Sequence, residues 1–155
     1  DVRLTVLENE KGKRQVGRIP AALDSDFHSD NTKVCYTTDT PIFFFADPTL
    51  PILFTNSSFD REHKKQHQIT ITAYDCHLSC RDPHKPINGT IVALIDVIDV
   101  NDNFPKFSEK IYTTTIVQGH VTAGSHVLTV QATDLDEELE GLKYSIRGFV
   151  RSPSQ

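Results

Sequence analysis

The stretch Val97–Phe107, VIDVNDNFPKF, places four oxygen-bearing side chains directly after a run of apolar residues and closes them with a Phe-Pro pair. These four side chains belong to Asp99, Asn101, Asp102 and Asn103. A turn needs one or two such residues. The stretch therefore indicates a site for a hard cation, and other parts of the chain have to supply the remaining ligands.

The composition of the 155-residue chain is that of an ordinary globular protein, with 37% hydrophobic and 24% charged residues. Its net charge of −5 argues against nucleic acid as a partner. The sequence shows neither a signal peptide nor an apolar run long enough to cross a bilayer. We therefore expect a chain that is soluble by itself, or one that was taken from a longer protein.

Short strands separated by turn signals fill the first hundred residues, and helical periodicity is absent from the sequence. The clearest strand is Gln68–Tyr74, in which apolar and polar residues alternate. Seven strands at this spacing predict an all-β fold, a seven-stranded Greek-key antiparallel sandwich of two sheets. The predicted strands are Arg3–Leu7, Gln15–Ala22, Lys33–Thr38, Ile42–Phe45, Ile52–Thr55, Gln68–Tyr74 and Thr90–Ile98.

The strand pattern begins again after Pro105, and the later segment repeats a feature of the earlier one. Residues 16–26, VGRIPAALDSD, and residues 127–136, VLTVQATDLD, both read as a strand followed by Asp-x-Asp. Three further strands cannot complete a sandwich, so we predict one complete module at residues 1–104 and the N-terminal half of a second at residues 105–155. The three strands are Ile111–Val117, His126–Ala132 and Leu142–Ile146.

Acidic residues occur in four groups, each in a loop or at the end of a predicted strand. Alternate loops of an antiparallel sandwich lie at the same end, so the first three groups can meet where the first module ends, and the fourth can reach them from the second module. Calcium takes six to eight oxygen ligands, and the seven carboxylates of these groups suit two or three ions. The groups are Glu8-Asn9, Asp60-Arg61-Glu62, Asp99–Asn103 and Asp134-Leu135-Asp136.

An EF-hand is the alternative interpretation of the Asp-x-Asn-x-Asn pattern that begins at Asp99. An EF-hand loop has glycine at its sixth position and glutamate at its twelfth, with a helix on each side. This chain has Phe104 and Lys110 at those positions, Pro105 follows, and no helix is predicted on either side. The EF-hand interpretation is therefore excluded.

Two N-x-S/T sequons, at Asn56 and Asn88, lie in predicted loops and are candidate glycosylation sites. Sequons of this kind are used in secreted proteins. Together with the cysteines they favour an extracellular chain.

The chain has three cysteines, an odd number, so at least one of them cannot pair with another cysteine of the chain. Cys76 and Cys80 are four residues apart, so a small disulfide loop between them is sterically allowed and leaves Cys35 over. A zinc site built from the same two cysteines with His77 and His84 is the alternative. Its spacing matches no common structural zinc site, so the disulfide is the simpler interpretation.

The acidic motifs resemble the calcium motifs of extracellular cadherin repeats, in the family's order and near its spacing. The motifs are EN at 8–9, DRE at 60–62, AYD at 73–75, DVNDNFP at 99–105 and DLD at 134–136, and the resemblance covers the whole chain. It implies Ca²⁺ ions between the repeats, held by Glu8, Asp60, Glu62, Asp99, Asn101, Asp102, Asn103, Asp134 and Asp136. It also implies half of a calcium site facing a preceding repeat, formed by Asp24, Asp26, Asn31 and Asp75.

The resemblance further implies a calcium-dependent cell–cell adhesion ectodomain, in which Ca²⁺ makes the linker between repeats rigid. The expected location is the extracellular surface of the plasma membrane, and membrane attachment would come only through a longer parent chain. The expected partners are other cadherin ectodomains, homophilic or heterophilic, and no small-molecule substrate is expected. The alternative is a non-adhesive structural spacer or a truncated secreted cadherin product. Since the sequence contains no ordered catalytic motif, no enzymatic activity is expected.

Overall fold

The computed structural model describes residues 1–23, 33–76, 80, 88–136 and 141–148. The chain divides into two compact units, Asp1–Val100 and Asn101–Gln155. Among the described residues, no helix is long and apolar enough to cross a membrane.

Over its described residues, the first unit contains seven strands, close to the positions that the alternating pattern predicts. The second of them is shorter than the predicted strand Gln15–Ala22. Pro20 has no N–H to donate, so the ladder ends once the Ile19 N–H has bonded to the Pro51 carbonyl at 3.0 Å. The seven strands are β1 Val2–Leu7, β2 Arg14–Arg18, β3 Lys33–Thr38, β4 Phe43–Phe45, β5 Ile52–Thr55, β6 Gln66–Cys76 and β7 Asn88–Ile98.

The strands of the first unit form two sheets, with the orders β1-β7-β6-β3 and β2-β5-β4. Four of the strand pairs are antiparallel, whereas β1 pairs with β7 in parallel. The predicted all-β sandwich is therefore confirmed, but the expectation of purely antiparallel pairing is wrong for β1. Parallel pairing sets Leu7 opposite Ile98, so β1 and β7 end side by side. We call this end of the first unit, from which both strands exit, the exit end.

The core of the first unit lies between the two sheets. In β7 every second residue, Ala93, Ile95 and Val97, is buried, as a strand with one face toward a core requires. Phe43 from β4 and Leu53 from β5 meet them from the other sheet. Burial of one large apolar side chain contributes about 1.5–3 kcal/mol, so this layer stabilises the first unit.

A disulfide joins Cys35 in β3 to Cys80, with the two Cα atoms 5.6 Å apart. The expectation of a Cys76–Cys80 bridge is therefore wrong, because the sulfur of Cys80 is already bonded to Cys35. The Tyr74 hydroxyl donates a hydrogen bond to the carbonyl of Cys80 at 2.6 Å, so Cys80, four positions beyond the end of β6, is joined to β6 by this bond and to β3 by the disulfide. The bridge also removes Cys80 as a thiolate ligand for zinc.

The second unit is described from Asn101 to Asp136 and over residues 141–148, and it forms one short strand pair there. β8 Lys106–Phe107 pairs in antiparallel fashion with β9 Ala132–Thr133. The predicted strands Ile111–Val117 and Leu142–Ile146 do not form, and His126–Ala132 is strand only at its last residue. The apolar side chains of these segments are largely exposed, as much as 98% at Ile146. Little burial is gained there to offset the entropy of ordering a strand.

Candidate metal centre

The strand pairing of the first unit sets the position of two predicted ligands. Leu7 lies opposite Ile98, and the Glu8 N–H donates to the Ile98 carbonyl at 3.1 Å. The next residues along the two parallel strands are Glu8 and Asp99. An antiparallel pairing of β1 and β7 would have placed these two acids at opposite ends of the sheet.

Glu8 is buried, with 1% of its surface exposed, and its carboxylate is held by backbone amides. Oε2 accepts a hydrogen bond from the N–H of Arg61 at 2.9 Å, and Oε1 accepts one from the N–H of Val100 at 2.7 Å. Asn9 then turns the chain away with a φ of 62°, a left-handed conformation that asparagine tolerates better than most residues. The carboxylate of Glu8 is therefore fixed in orientation by two other segments of the first unit.

Glu62 completes a group of three carboxylates at the exit end. One of its oxygens lies within 4.8 Å of an oxygen of Glu8, and one lies within 4.8 Å of an oxygen of Asp99. Two like charges at that separation repel by about 3.5 kcal/mol at an effective dielectric constant of 20. We call Glu8, Glu62 and Asp99 the carboxylate cluster, and a nearby positive charge would offset its repulsion.

Part of that compensation comes from the chain itself. Nη1 of Arg61 lies 3.2 Å from Oδ1 of Asp99, and the two side chains are 10% and 16% exposed. Sequence reasoning assigned no role to this arginine beyond its place in the DRE triplet. Its pairing with Asp99 could not be predicted from local sequence, since the two residues are 38 positions apart. Its burial leaves no pattern in the sequence either.

Asp60, the first residue of the DRE triplet, closes a turn. Its Oδ1 accepts a hydrogen bond from the N–H of His63 at 2.8 Å, and its carbonyl accepts one from the N–H of Lys64 at 2.9 Å. Asp60 is exposed, whereas Glu62 is partly buried. The turn directs Glu62 toward the cluster and leaves Asp60 at the rim of the exit end.

The predicted ligands of the second unit form a group of their own. The antiparallel pair of β8 and β9 brings the residues before β8 close to those after β9. The backbone N–H of Asn103 donates to Oδ2 of Asp136 at 2.7 Å, and its side-chain Nδ2 donates to Oδ1 of Asp136 at 2.6 Å. The same Nδ2 donates to Oδ1 of Asp102 at 3.0 Å, and Oδ1 of Asp134 accepts the N–H of Asp136 at 3.1 Å.

The structure thus brings some of the predicted ligands together within each unit: Glu8, Glu62 and Asp99 in the first, and Asp102, Asn103, Asp134 and Asp136 in the second. Asn101 is exposed at the start of the second unit, and Asp75 is partly buried near the end of β6, opposite Val34. The positions that lie outside the described residues are Asp24, Asp26 and Asn31 of the half site, and His77 and His84 of the zinc alternative.

A partly buried histidine also lies against two aromatic rings of the core of the first unit. The ring of His67 makes edge contacts with the rings of Phe59, at 5.0 Å, and Phe43, at 5.9 Å. Partial burial, and secondarily the positive charge of Lys64, lower the pKa of His67 below its ordinary value of 6.5.

Several known proteins are similar to this chain, although no family model matches it. The chain is 37% identical to human protocadherin gamma-B2 over 122 residues, which are 75% of this chain and 12% of that protein. It is 31% identical to the cadherin EGF LAG seven-pass G-type receptor fmi-1 of Caenorhabditis elegans over 126 residues, which are 81% of this chain and 5% of that protein.

A solved structure agrees with both relatives. The crystal structure of mouse cadherin-23 EC22-24 aligns with 88% of this chain and 42% of its own length, with a TM-score of 0.64 and 25% identity. The chain spans at most 12% of the length of the two curated relatives above. From these similarities, together with its two-sheet fold, the chain belongs to the cadherin superfamily.

Proposed function

We propose that the chain is a calcium-binding segment of an extracellular cell–cell adhesion protein, in which Ca²⁺ ions make the linker after the first unit rigid. The observation that carries the proposal is the position of Glu62 at the exit end, where its carboxylate has oxygens within 4.8 Å of an oxygen of Glu8 and of an oxygen of Asp99. In this proposal residues 1–104 are a complete cadherin repeat and residues 105–155 are the N-terminal half of the next. The partners would be other cadherin ectodomains.

The carboxylate cluster has the chemistry that calcium requires. Three carboxylates offer up to six hard oxygen donors, and calcium accepts carboxylate oxygens singly or in pairs. Glu8 is oriented by the N–H groups of Arg61 and Val100, which is the kind of outer support that fixes a metal ligand. The residues present therefore fit Ca²⁺, with Asp60 as a further ligand at the rim.

The second group supplies oxygen donors from the other side of the linker. Asp102, Asn103 and Asp136 already form one hydrogen-bonded group, and Asp134 is bonded to its edge. Asp102 follows Asp99 by three positions, so their Cα atoms cannot be more than about 11 Å apart. Ions shared between the two groups would restrain the Val100–Asn101 linker, with Asn101 as an additional oxygen donor.

Calcium would supply the positive charge that the carboxylate cluster lacks. Without it, repulsion between the acids favours an open or mobile linker. With it, the same acids become a clamp, and successive repeats would form a stiff rod. Residues Asp24, Asp26, Asn31 and Asp75 would form the corresponding half site toward a preceding repeat.

Thermal unfolding with and without calcium tests the metal. Extracellular calcium modules bind at about 10⁻⁴–10⁻³ M. For a dissociation constant of about 0.1 mM, 1 mM Ca²⁺ stabilises the native state by about 1.4 kcal/mol per ion. The melting temperature should therefore rise on changing from EDTA to 1 mM CaCl₂, and 1 mM MgCl₂ serves as the control. An unchanged melting temperature would reject the proposal.

A bead assay separates adhesion from a spacer function. Beads coated with the chain should aggregate in calcium and disperse on addition of EDTA if the segment is adhesive. Beads that remain dispersed in calcium, while the melting temperature still rises, would favour the structural spacer or truncated secreted product.

We also propose N-glycosylation of the chain, which an extracellular location permits. Asn56 is exposed directly after β5, in the sequon Asn56-Ser57-Ser58, and is therefore accessible. Asn88 is the first residue of β7 rather than a loop residue, although its sequon continues through Gly89 to Thr90. Expression in a secretory host should give a mass that falls on treatment with peptide N-glycosidase F, and Asn56→Gln should remove part of that change.

A further inference from the structure

Arg61 contacts the carboxylate cluster of the first unit through both its guanidinium and its backbone. Nη1 is 3.2 Å from Oδ1 of Asp99, and the backbone N–H of the same residue donates to Oε2 of Glu8 at 2.9 Å. The arginine is buried, with 8% of its surface exposed. One residue therefore contacts two of the three carboxylates, through its main chain and its side chain.

We infer that Arg61 is an internal counter-ion that competes with Ca²⁺ for Asp99, so that it stabilises the metal-free cluster and weakens calcium binding. The inference rests on the proposed function. A guanidinium remains protonated at every physiological pH, so this competition is permanent. It reduces the formal charge of the cluster from −3 to −2, and Oδ1 of Asp99 can bind an ion only by exchanging or sharing its partner.

The two effects of a counter-ion have opposite directions, which distinguishes it from a structural residue. Removal of the guanidinium leaves the partly buried Asp99 among like charges, so the metal-free chain loses stability. The same removal takes away one competitor of Ca²⁺ and makes the field at the cluster more negative, so calcium binds more tightly. A residue that merely fills space or positions the turn would weaken both properties together.

The experiment compares calcium affinity and metal-free stability in the full chain. Arg61→Met keeps the length of the side chain and removes its charge. Calcium titration by calorimetry should give a dissociation constant about tenfold lower than that of the wild type, equal to about 1.4 kcal/mol. Thermal unfolding in EDTA should show a melting temperature lower by about 5–10 °C. Arg18→Gln, at an exposed position in β2, is the matched control for net charge and should leave both values near those of the wild type.

Arg61→Lys keeps the charge but loses the planar fork that fits a carboxylate, so calcium affinity should rise about two- to threefold. If Arg61→Met does not fold, the calcium affinity of Arg61→Lys decides whether Arg61 competes with Ca²⁺ for Asp99. A wild-type chain that fails to bind calcium would reject the proposed function. A wild-type chain that binds calcium, with folded variants that bind it equally well or more weakly, would overturn the inference about Arg61 alone.

Discussion

The carboxylate of Glu8 and the backbone N–H of Val100 form a 2.7 Å hydrogen bond between residues 92 positions apart. The parallel pairing of β1 with β7 makes this bond possible, because it brings the ends of the first and the last strand of the unit together. Glu8 therefore secures the last residue of the first unit and also presents a carboxylate to the exit end. Folding and metal binding depend on the same side chain.

Glu8→Gln should destabilise the chain even in the absence of metal. The carboxylate accepts two buried N–H groups, whereas an amide offers one oxygen and directs an NH₂ group at the other donor. A buried donor without an acceptor costs about 1–3 kcal/mol. Urea unfolding in EDTA should therefore show a loss of that size, and calcium should raise the melting temperature less than it does in the wild type.

Glu109→Gln is the charge-matched control, since Glu109 is exposed in the second unit. It should leave both stability and the calcium response close to those of the wild type. If Glu8→Gln behaved in the same way as this control, Glu8 would be neither a structural anchor nor a calcium ligand.

The Cys35–Cys80 disulfide should contribute substantially to stability. The two residues are 45 positions apart, and closing a loop of that length lowers the entropy of the unfolded chain by an amount worth about 4 kcal/mol. The Cys35→Ala/Cys80→Ala double variant should therefore lose about 2–4 kcal/mol in urea unfolding without reductant.

Peptide mapping without reduction provides an independent check of the pairing. Digestion of the wild type should yield Cys35 and Cys80 in one covalently linked pair of peptides. Recovery of a Cys76–Cys80 link would contradict the structure and restore the pairing that spacing along the sequence suggests.

Much of the first unit could be predicted from its sequence, because its strands are short and their apolar residues alternate. The strand Gln68–Tyr74 was predicted from alternation alone and forms the centre of β6. The direction of β1 could not be predicted in this way, since alternation fixes which side chains face the core but not which neighbouring strand they adjoin. That direction decides whether Glu8 meets Asp99.

The candidate site was partly predictable for a related reason. Acidic motifs at strand ends indicated the oxygen ligands, but the contacts of Arg61 and the pairing of Cys35 with Cys80 are long-range and have no local signal. Prediction of Ile111–Val117 and Leu142–Ile146 failed because a strand pattern becomes a strand only when a partner strand is available.

Protonation of His67 should destabilise the first unit. The folded state lowers its pKa below 6.5, so the unfolded chain binds this proton more readily than the folded chain does. The free energy of unfolding should therefore keep its full value, as far as His67 is concerned, above about pH 6.5 and should decrease as the pH falls below it. Thermal unfolding in EDTA between pH 7.5 and 5.5 should show this decrease.

His67→Leu removes the titrating group, so it should flatten the pH dependence, whereas His126→Gln, at an exposed position, should retain it. A pH dependence that is identical in the wild type and in His67→Leu would assign the effect to other groups.

Hydrogen exchange should differ sharply between the two units. Amides of β6 and β7 are paired in the interior of a sheet and should be protected nearly to the level of global unfolding. Residues 111–130 and 142–148 contain no strand, and Ile111 and Ile146 are 79% and 98% exposed, so their amides should exchange close to the rate of an unfolded chain. Mass spectrometry of peptides after seconds to hours in D₂O measures both groups at once. Strong protection throughout 111–130 would show that the second unit forms a stable sheet and would contradict its description as an incomplete repeat.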